Sequence, residues 1–566
     1  MKILLITLDS KYIHANLAVR YLKKYCGDFD IVIKEFTINQ RPEYILGEIL
    51  AEGPDLICFS CYIWNIDYIK DISYIIKESK SEARLLYGGP EVSFEIKELM
   101  ESNPFIDFVI FGEGEETFKE FLEEIQKPSP LLRKIKGLAF RENNEAIINE
   151  SRGLIDNLDI INYPYEPEEE FENKIIYYES SRGCPFSCSF CLSSIDKKLR
   201  FFSMERVKRD LKMLLNTKAR QIKFVDRTFN ADYRRSMEIM EYIVENNKNN
   251  MTIHFEITAD IINDQFLSFL GKMPVNMFQF EIGVQSLNVD TLCEIDRHMD
   301  KDKLSRAIRE IGKNKNIHLH LDLIAGLPYE DYESFKKSFD GIYKLNAEKI
   351  QLGFLKVLKG TKIFRDKEKH GIKHTLKAPY EVICTKYISL GELLKLKNIE
   401  ELVDKYYNEK YFNKSIKYAA GTWFAESPFE FYSSFSDYWQ KYDLYNKAHS
   451  RKKLYRILYD YVKDMKGIDD EFIQALKFDY IFNNQFEELP DYLDRESEDR
   501  FKSLKKGLAH DVDFKNKYFP SSEEKIVNDF RICQIGGNII LFIYRDRENI
   551  FNRCETYVVN DIEEAK

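Results

Sequence analysis

Through the first 127 residues, short apolar runs alternate with amphipathic segments. KILLITL, DIVIKEFTI, DLICFSCY, ARLLYGG and DFVIFGEG are close to continuously apolar, as strands buried on both faces are. Between them, HANLAVRYLKKYC, PEYILGEILAE and residues 66–79 carry the spacing of amphipathic helices. This alternation predicts a parallel, doubly wound, Rossmann-like α/β domain over residues 1–127. Such sheets bind ligands at the carboxyl ends of their strands. Here those ends carry Ser60-Cys61, Gly88-Gly89-Pro90 and Gly112-Glu113-Gly114.

A second alternating tract spans residues 171–365, with strand-like KIIYYES, QIKFVD, TIHFEIT, MFQFEIG, HLHLDLIAG and KIQLGFL. Six such units predict a partial (β/α)6 TIM-type barrel, whose chemistry belongs at the carboxyl ends of its strands. Residues 128–170 read as a linker: KPSPLL holds two prolines, GLAFRENNEAIINE predicts a hairpin around Glu142-Asn143-Asn144, and an acidic EPEEEFE follows. From 366 to 566 the pattern changes to long, charged, Tyr/Phe-rich segments such as AHSRKKLYRILYDYVKDM. They predict a mainly helical C-terminal domain that closes on a terminal β-hairpin, GGNIILFIYRDR…RCETYVVND. No catalytic signature lies in that part.

Composition narrows the function classes. At 566 residues, with 44% hydrophobic and 31% charged side chains, the chain suits several domains with large cores. Its net charge of −10 is mixed throughout and holds no long basic run, so nothing in it argues for a nucleic-acid partner. No apolar run is long enough to span a bilayer, and MKILLITLDSKY turns polar too early for a signal peptide. The expectation is a cytoplasmic protein. Three of the ten cysteines fall within eight positions, and in a reducing compartment such crowding points to a metal site rather than a disulfide.

The crowded cysteines are Cys184, Cys188 and Cys191, in the loop Ser181-Arg182-Gly183-Cys184-Pro185-Phe186-Ser187-Cys188-Ser189-Phe190-Cys191. Thiolates are the preferred ligands of iron–sulfur clusters. Three of them can hold three corners of a cubane and leave the fourth iron open to another ligand. The alternative is a zinc knuckle, but zinc wants four ligands, often in CxxC pairs, and no fourth Cys or His is near.

CxxxCxxC after a barrel strand, with an aromatic residue before the last cysteine, closely resembles the radical S-adenosylmethionine (SAM) superfamily. That resemblance implies a 4Fe-4S cluster that cleaves SAM reductively to a 5′-deoxyadenosyl radical, with Cys184, Cys188 and Cys191 as ligands and Phe190 against the adenine. It also implies that Asp226 of KFVDRTFN meets the SAM amino group. FEIGVQSLNVDTL resembles the family's GxQS segment, so Glu281, Gln285 and Ser286 are expected to face the SAM carboxylate and ribose. Arg297 of IDRHM matches an Arg-bearing helix, and LDLIAGLPYED matches the GLP turn near adenine. Taken singly these are weak; Asp226 could cap a helix and Arg297 could pair with a surface carboxylate.

The first 127 residues resemble the cobalamin-binding domain that precedes many such barrels, carried by Ser60, Gly88-Gly89 and Gly112-Glu113. The resemblance implies that these residues line the slot for the cobalamin tail. A glycine pair lets backbone approach a bulky ligand, and a serine hydroxyl can donate to it. The DxHxxG pattern that supplies an axial histidine is missing: Asp9 and His14 stand at another spacing, with no Gly after them. Many relatives also lack it, so the implied state is base-off and His-off. The alternative is a sheet that binds nothing, or another nucleotide.

Together these features imply a cobalamin-dependent radical SAM enzyme with a C-terminal domain of uncharacterised type. The expected reaction is methylation of an unactivated carbon of a small molecule or peptide, with flavodoxin or ferredoxin as reductant. Radical rearrangement or cyclisation, or a non-enzymatic corrinoid carrier or assembly protein, remain as alternatives. No residue names the substrate.

Overall fold

The computed structural model describes residues 1–166, 169–520, 526–544 and 554–559. The chain divides into two compact units, Met1–Phe335 with Leu352–Leu390, and Lys336–Gln351 with Gly391–Lys566.

In the first unit, β1 (Ile3–Asp9), β2 (Ile31–Thr37), β3 (Leu56–Ser60), β4 (Arg84–Gly88) and β5 (Phe108–Ile110) form a parallel sheet in the order β2-β1-β3-β4-β5. Every residue of β1 is buried. Leu4, Ile6 and Leu8 enter one apolar cluster, and Ile3 and Leu5 enter another. Alternation along one strand thus feeds cores on both faces of the sheet. Those faces are covered by α1 (Leu17–Tyr25), α2 (Pro42–Glu52), α3 (Ile66–Ser79), α4 (Ile96–Ser102) and α5 (Glu115–Ile125). The chain leaves β1 for β2 on one side and returns to β3 on the other. The ends of β1 and β3 therefore flank a topological switch point, where such sheets open a crevice.

The expected hairpin is β6 (Leu138–Glu142) with β7 (Glu145–Ile148), turning at Asn143 and Asn144, both with positive φ. It does not stand free: β6 pairs antiparallel with β5, which extends the sheet to seven strands. Of the acidic stretch that follows, Pro167 and Glu168 lie outside the described residues.

Six parallel strands make the partial barrel. They are β8 (Ile175–Tyr178), β11 (Gln221–Phe224), β12 (Thr252–Ile257), β13 (Phe278–Gln285), β14 (Ile317–Ala325) and β15 (Lys349–Phe354). Between the first two lies a short antiparallel ribbon, β9 (Ser181–Arg182) with β10 (Arg200–Phe201). Along β13 and β14, buried and half-buried residues alternate strictly. Phe278, Phe280 and Ile282 face one side. Gln279, Glu281, Gly283 and Gln285 face the other, beside His318, His320 and Asp322 of β14. A small ribbon, β16 (Lys373–His374) with β17 (Val382–Cys384), ends this unit.

The second unit is mainly helical, with long helices at Asn413–Thr422, Pro428–Lys441, Arg451–Lys466 and Asp470–Asn483. Its core is aromatic: Tyr406, Phe412, Phe435, Trp439 and Tyr455 are buried and in ring contact. The chain end adds a strand to the expected terminal hairpin. β19 (Asn538–Tyr544) and β20 (Cys554–Val559) pair antiparallel, but β18 (Phe530–Ile535) precedes them and makes the sheet three-stranded. Gly536 and Gly537 form the turn between β18 and β19, so they end one strand rather than open the motif. The residues joining β19 to β20, and those after 559, lie outside the described set. Among the described residues, no helix is long and apolar enough to cross a membrane.

Candidate functional site

The cysteine loop leaves the barrel after β8 and returns through the β9–β10 ribbon. Gly183 has φ +89°, and a Cβ there would stand 2.4 Å from the Lys198 carbonyl, so only glycine lets the two arms touch. Cys184 N donates to Asp196 O at 3.1 Å, Ser189 N to Ile295 O at 2.9 Å, and Ile363 N to Ser189 O at 2.9 Å. These bonds pin the loop across the end of the barrel. Cys184 and Cys188 are buried and Cys191 is half-buried. Burial pushes the Cys188 thiol up, Arg297 opposes the rise, and Cys191 and Cys184 add to it, so the three thiols feel one another. Among the described residues, no three Cys, His or acidic side chains enclose a single metal ion. A cubane binds each thiolate to a different iron, and so calls for wider spacing. Phe190 is half-buried beside Cys191.

Beyond the loop, β13 ends irregularly. Its register with β14 shifts between Gly283 and Gln285, and Gln285 takes a left-handed φ of +69°. Such a conformation costs a non-glycine residue about 1–3 kcal/mol and collects at functional sites. The Gln285 Oε1 is buried without a hydrogen-bond partner. Arg297 ties this turn to the loop: one guanidinium nitrogen donates to Gly283 O, the other reaches Cys188 Sγ at 3.4 Å, and Nε is buried without a partner. Orphaned polar atoms are rare in folded proteins and mark the place of a missing partner. The structure thus brings Gln285, Arg297 and Cys188 together.

Three other expected contacts are held by partners within the protein. Asp226 is fully buried and accepts from Ser180 N at 2.9 Å, Ser180 Oγ at 2.7 Å and Ser181 Oγ at 2.6 Å. Its carboxylate braces the strand that leads into the loop. Ser286 is fully buried, donates to Glu330 at 2.6 Å and accepts from Asn288 N, which locks the GxQS turn to the GLP turn. Glu281 points to the half-buried face of the barrel, where it meets His254 Nε2 at 2.9 Å and Lys223 Nζ at 3.2 Å. Burial pushes its carboxyl up, but the His254 hydrogen bond and the Lys223 charge prevail and hold it at about 2. With Glu256, His320 and Asp322 it forms a polar layer within the barrel that sequence reasoning did not assemble. The signal was present, since polar residues alternate with apolar ones in FQFEIGVQ and HLHLDLIA.

A cavity of about 720 Å³ opens at the switch point of the first sheet. Ser60, Gly88, Gly89, Gly112 and Glu113 all line it, with Asp9 and His14. Gly89 has φ +117°, and a Cβ on it would fall 2.5 Å from Cys61 O, so the chain lies as close to its neighbour as it can. Burial raises the Asp9 carboxyl to about 6, aided by the charge of Glu35. His14 reaches the Tyr177 hydroxyl at 2.8 Å through Nδ1. Tyr177, Arg182 and Arg227 bring the barrel into the same cavity wall. Tyr62 and Trp64, unmarked in the sequence reading, stack with centroids 4.4 Å apart on another part of that wall. The glycine-lined rim and flat aromatic pair suit a large planar ligand with a polar tail.

Residues 3–122 match the B12 binding domain, and residues 178–342 match the Radical SAM superfamily. The chain thus joins a B12 binding domain to a radical SAM domain. Its cofactors are accordingly cobalamin, SAM and a 4Fe-4S cluster, and the glycine-lined cavity and the thiol loop fit them. Residues 368–537 match a further family described only as a protein of unknown function (DUF4080). Among relatives, the cobalamin-dependent radical SAM methyltransferase TokK of Streptomyces tokunonensis is 26% identical, over 54% of this chain and 47% of that protein. The 2-(S-pantetheinyl)-carbapenam-3-carboxylate methyltransferase of Streptantibioticus cattleyicolor is also 26% identical, with the same 54% and 47% shares. The chain therefore spans about half the length of these relatives. The cobalamin-dependent SAM radical enzyme OxsB shares the fold, with TM-score 0.60 at 15% identity over 90% of this chain and 82% of that one. TsrM of Kitasatospora setae does so with TM-score 0.56 at 15% identity, over 66% of this chain and 81% of that one.

Proposed function

We propose that this chain is a cobalamin-dependent radical SAM methyltransferase acting on an unactivated carbon of a small molecule or peptide. The observation that carries the reading is the shared cavity. Its walls come from the strand ends bearing Ser60, Gly88, Gly89 and Gly112, and from Tyr177, Arg182 and Arg227 of the barrel. The methyltransferases among the relatives support the same reaction. When bound, the cofactors supply a methyl group and the one-electron cleavage of SAM that allows hydrogen abstraction from carbon.

The chain's own residues hold and orient. Cys184, Cys188 and Cys191 ligate the cluster and leave one corner for SAM. Gln285 Oε1, buried and unpartnered, would accept a hydrogen bond from SAM, and Phe190 would lie against the adenine. Arg297 fixes Cys188 to the Gly283 turn. Asp226 sets the entry to the loop through Ser180 and Ser181. His14, whose imidazole meets the Tyr177 hydroxyl, would leave cobalamin base-off and His-off, in keeping with the missing DxHxxG pattern. The protein works in the cytoplasm, where its ten free cysteines stay reduced, with a flavodoxin or ferredoxin as electron donor.

The test is anaerobic turnover with hydroxocobalamin, deuteromethyl-labelled SAM and a metabolite extract of the source cells. Methyl transfer yields S-adenosylhomocysteine and 5′-deoxyadenosine together, with label in a product. Deoxyadenosine alone would indicate rearrangement or cyclisation, and neither product a corrinoid carrier. EPR of bound cob(II)alamin is expected without nitrogen splitting in both wild type and His14→Ala. Splitting that vanishes in the variant would overturn the His-off assignment.

A further inference from the structure

The loop that holds all three cysteines is closed by the β9–β10 ribbon, whose inner cross-strand pair is Arg182 opposite Arg200. Two like charges directly opposite on an antiparallel ribbon repel. Both arginines grip one carboxylate from outside the barrel, Glu113. Its Oε1 accepts from Arg182 at 3.3 Å and from Arg200 at 3.0 Å, and its Oε2 accepts from Arg200 at 3.0 Å and from Ile155 N at 2.7 Å. Arg182 is further held by Glu115 at 2.6 Å and Glu179 at 2.8 Å, and Arg200 by Asp196 at 2.6 Å. The side chains of Arg182 and Glu113 are about 15% exposed and that of Arg200 is 3% exposed, so the network is sheltered from solvent screening.

Glu113 sits in the turn after β5 that lines the cavity. The sequence reading made it a cobalamin contact, yet both of its oxygens already accept from the arginines and from Ile155. We propose that Glu113 is a positioning residue that couples the two cofactor sites: a corrinoid in the cavity orders the Gly112–Gly114 turn, and Glu113 transmits that order to both ends of the cysteine loop. This rests on the cofactor assignment above. Cobalamin binding and cluster retention then reinforce one another, because coupling between sites is reciprocal. Neutralising Glu113 leaves two facing arginines without the charge that joins them, and breaking a buried pair from one side is costly.

The experiment uses the full chain, reconstituted anaerobically with iron and sulfide. Iron loss to a chelator such as ferrozine is timed with and without hydroxocobalamin. In wild type, cobalamin is expected to slow iron loss by a factor in the range of about 5 to 150. In Glu113→Gln the cluster still assembles and cobalamin still binds, but the ratio of the two rates falls to about one. A merely structural role for Glu113 would raise both rates and leave the ratio intact, and that result overturns the proposal. So does a wild type that holds both cofactors yet loses iron at one rate regardless of cobalamin. If Glu113→Gln takes up no iron, Glu113→Asp, which keeps the charge and loses the reach, decides by the same ratio. A wild type that binds no corrinoid overturns the cofactor assignment itself, a distinct outcome.

Discussion

Gly283→Ala should damage SAM binding as much as loss of Gln285 does, although Gly283 offers the cofactor no side chain. A Cβ built on Gly283 stands 2.2 Å from Gln285 Nε2 and 3.7 Å from Arg297 Nη2. The first distance is impossible, and the atom struck is the free end of a flexible side chain. The fold therefore tolerates the methyl group, while the Gln285 amide is driven from its position. Its Oε1, buried with no partner, is the acceptor assigned to SAM. A hydrogen bond to a charged group contributes about 1.5–3 kcal/mol, so its loss weakens binding about 10- to 150-fold. Gln285→Ala removes the same bond and should weaken SAM binding by a similar factor. Because both changes act on one contact, the double variant should be no worse than either single one, a coupling of about the full single-site loss. The assay is anaerobic calorimetric titration of SAM into cluster-loaded protein, with iron content and Tm as controls. If Gly283→Ala binds SAM as wild type does while Gln285→Ala does not, the collision argument is wrong. If the two losses add, Gln285 and Gly283 act separately.

Other expectations follow from the same geometry. Cys184→Ala, Cys188→Ala or Cys191→Ala should abolish the 4Fe-4S absorbance and formation of 5′-deoxyadenosine, while Cys58→Ala, in an apolar core where burial pushes its thiol up, should leave iron content unchanged; a triple Cys→Ala chain that still cleaves SAM would contradict the assignment. Glu281, held at about 2 against an ordinary 4.5, stabilises the fold fully above pH 4.5 and loses that contribution as pH falls toward 2. Glu281→Gln should thus be less stable at neutral pH by about 3 kcal/mol at most, with the gap to wild type closing over that acid range in urea titrations of cluster-free protein; a gap that stays constant would mean the ion pairs are not its source. In the second unit, Asp479 accepts from Lys414 N at 3.0 Å and from Ser415 N and Oγ, each at 2.7 Å, at the start of the helix Asn413–Thr422. Asp479→Ala leaves these buried donors unpaired and should lower stability by about 3 kcal/mol, read as a lower Tm with cluster content unchanged.

What the chain order makes plain, and what it conceals, divides by the range of the interaction. β1 and β3 are readable because burial on both faces keeps ILLITLD and LICFS apolar except at Thr7 and the strand ends Asp9 and Ser60. The cysteine loop is readable because all its ligands lie within eight residues, so their spacing is itself the motif. β18 is within reach as well, since RICQI and NIILF flank a Gly-Gly pair, which is a hairpin signal. The roles of Asp226 and Glu113 were not within reach. A polar residue at a strand end can face a ligand or brace a neighbouring loop, and the sequence looks the same in both cases. The choice depends on partners 45, 46, 69 and 87 residues away, where no local pattern operates. Both are met by complementary groups within the protein: serines beside Asp226, arginines beside Glu113. Gln285 differs in this respect. Its bulged, left-handed backbone aims the side chain where no protein donor reaches Oε1, and a buried acceptor left in that state is stable only if something else comes to meet it.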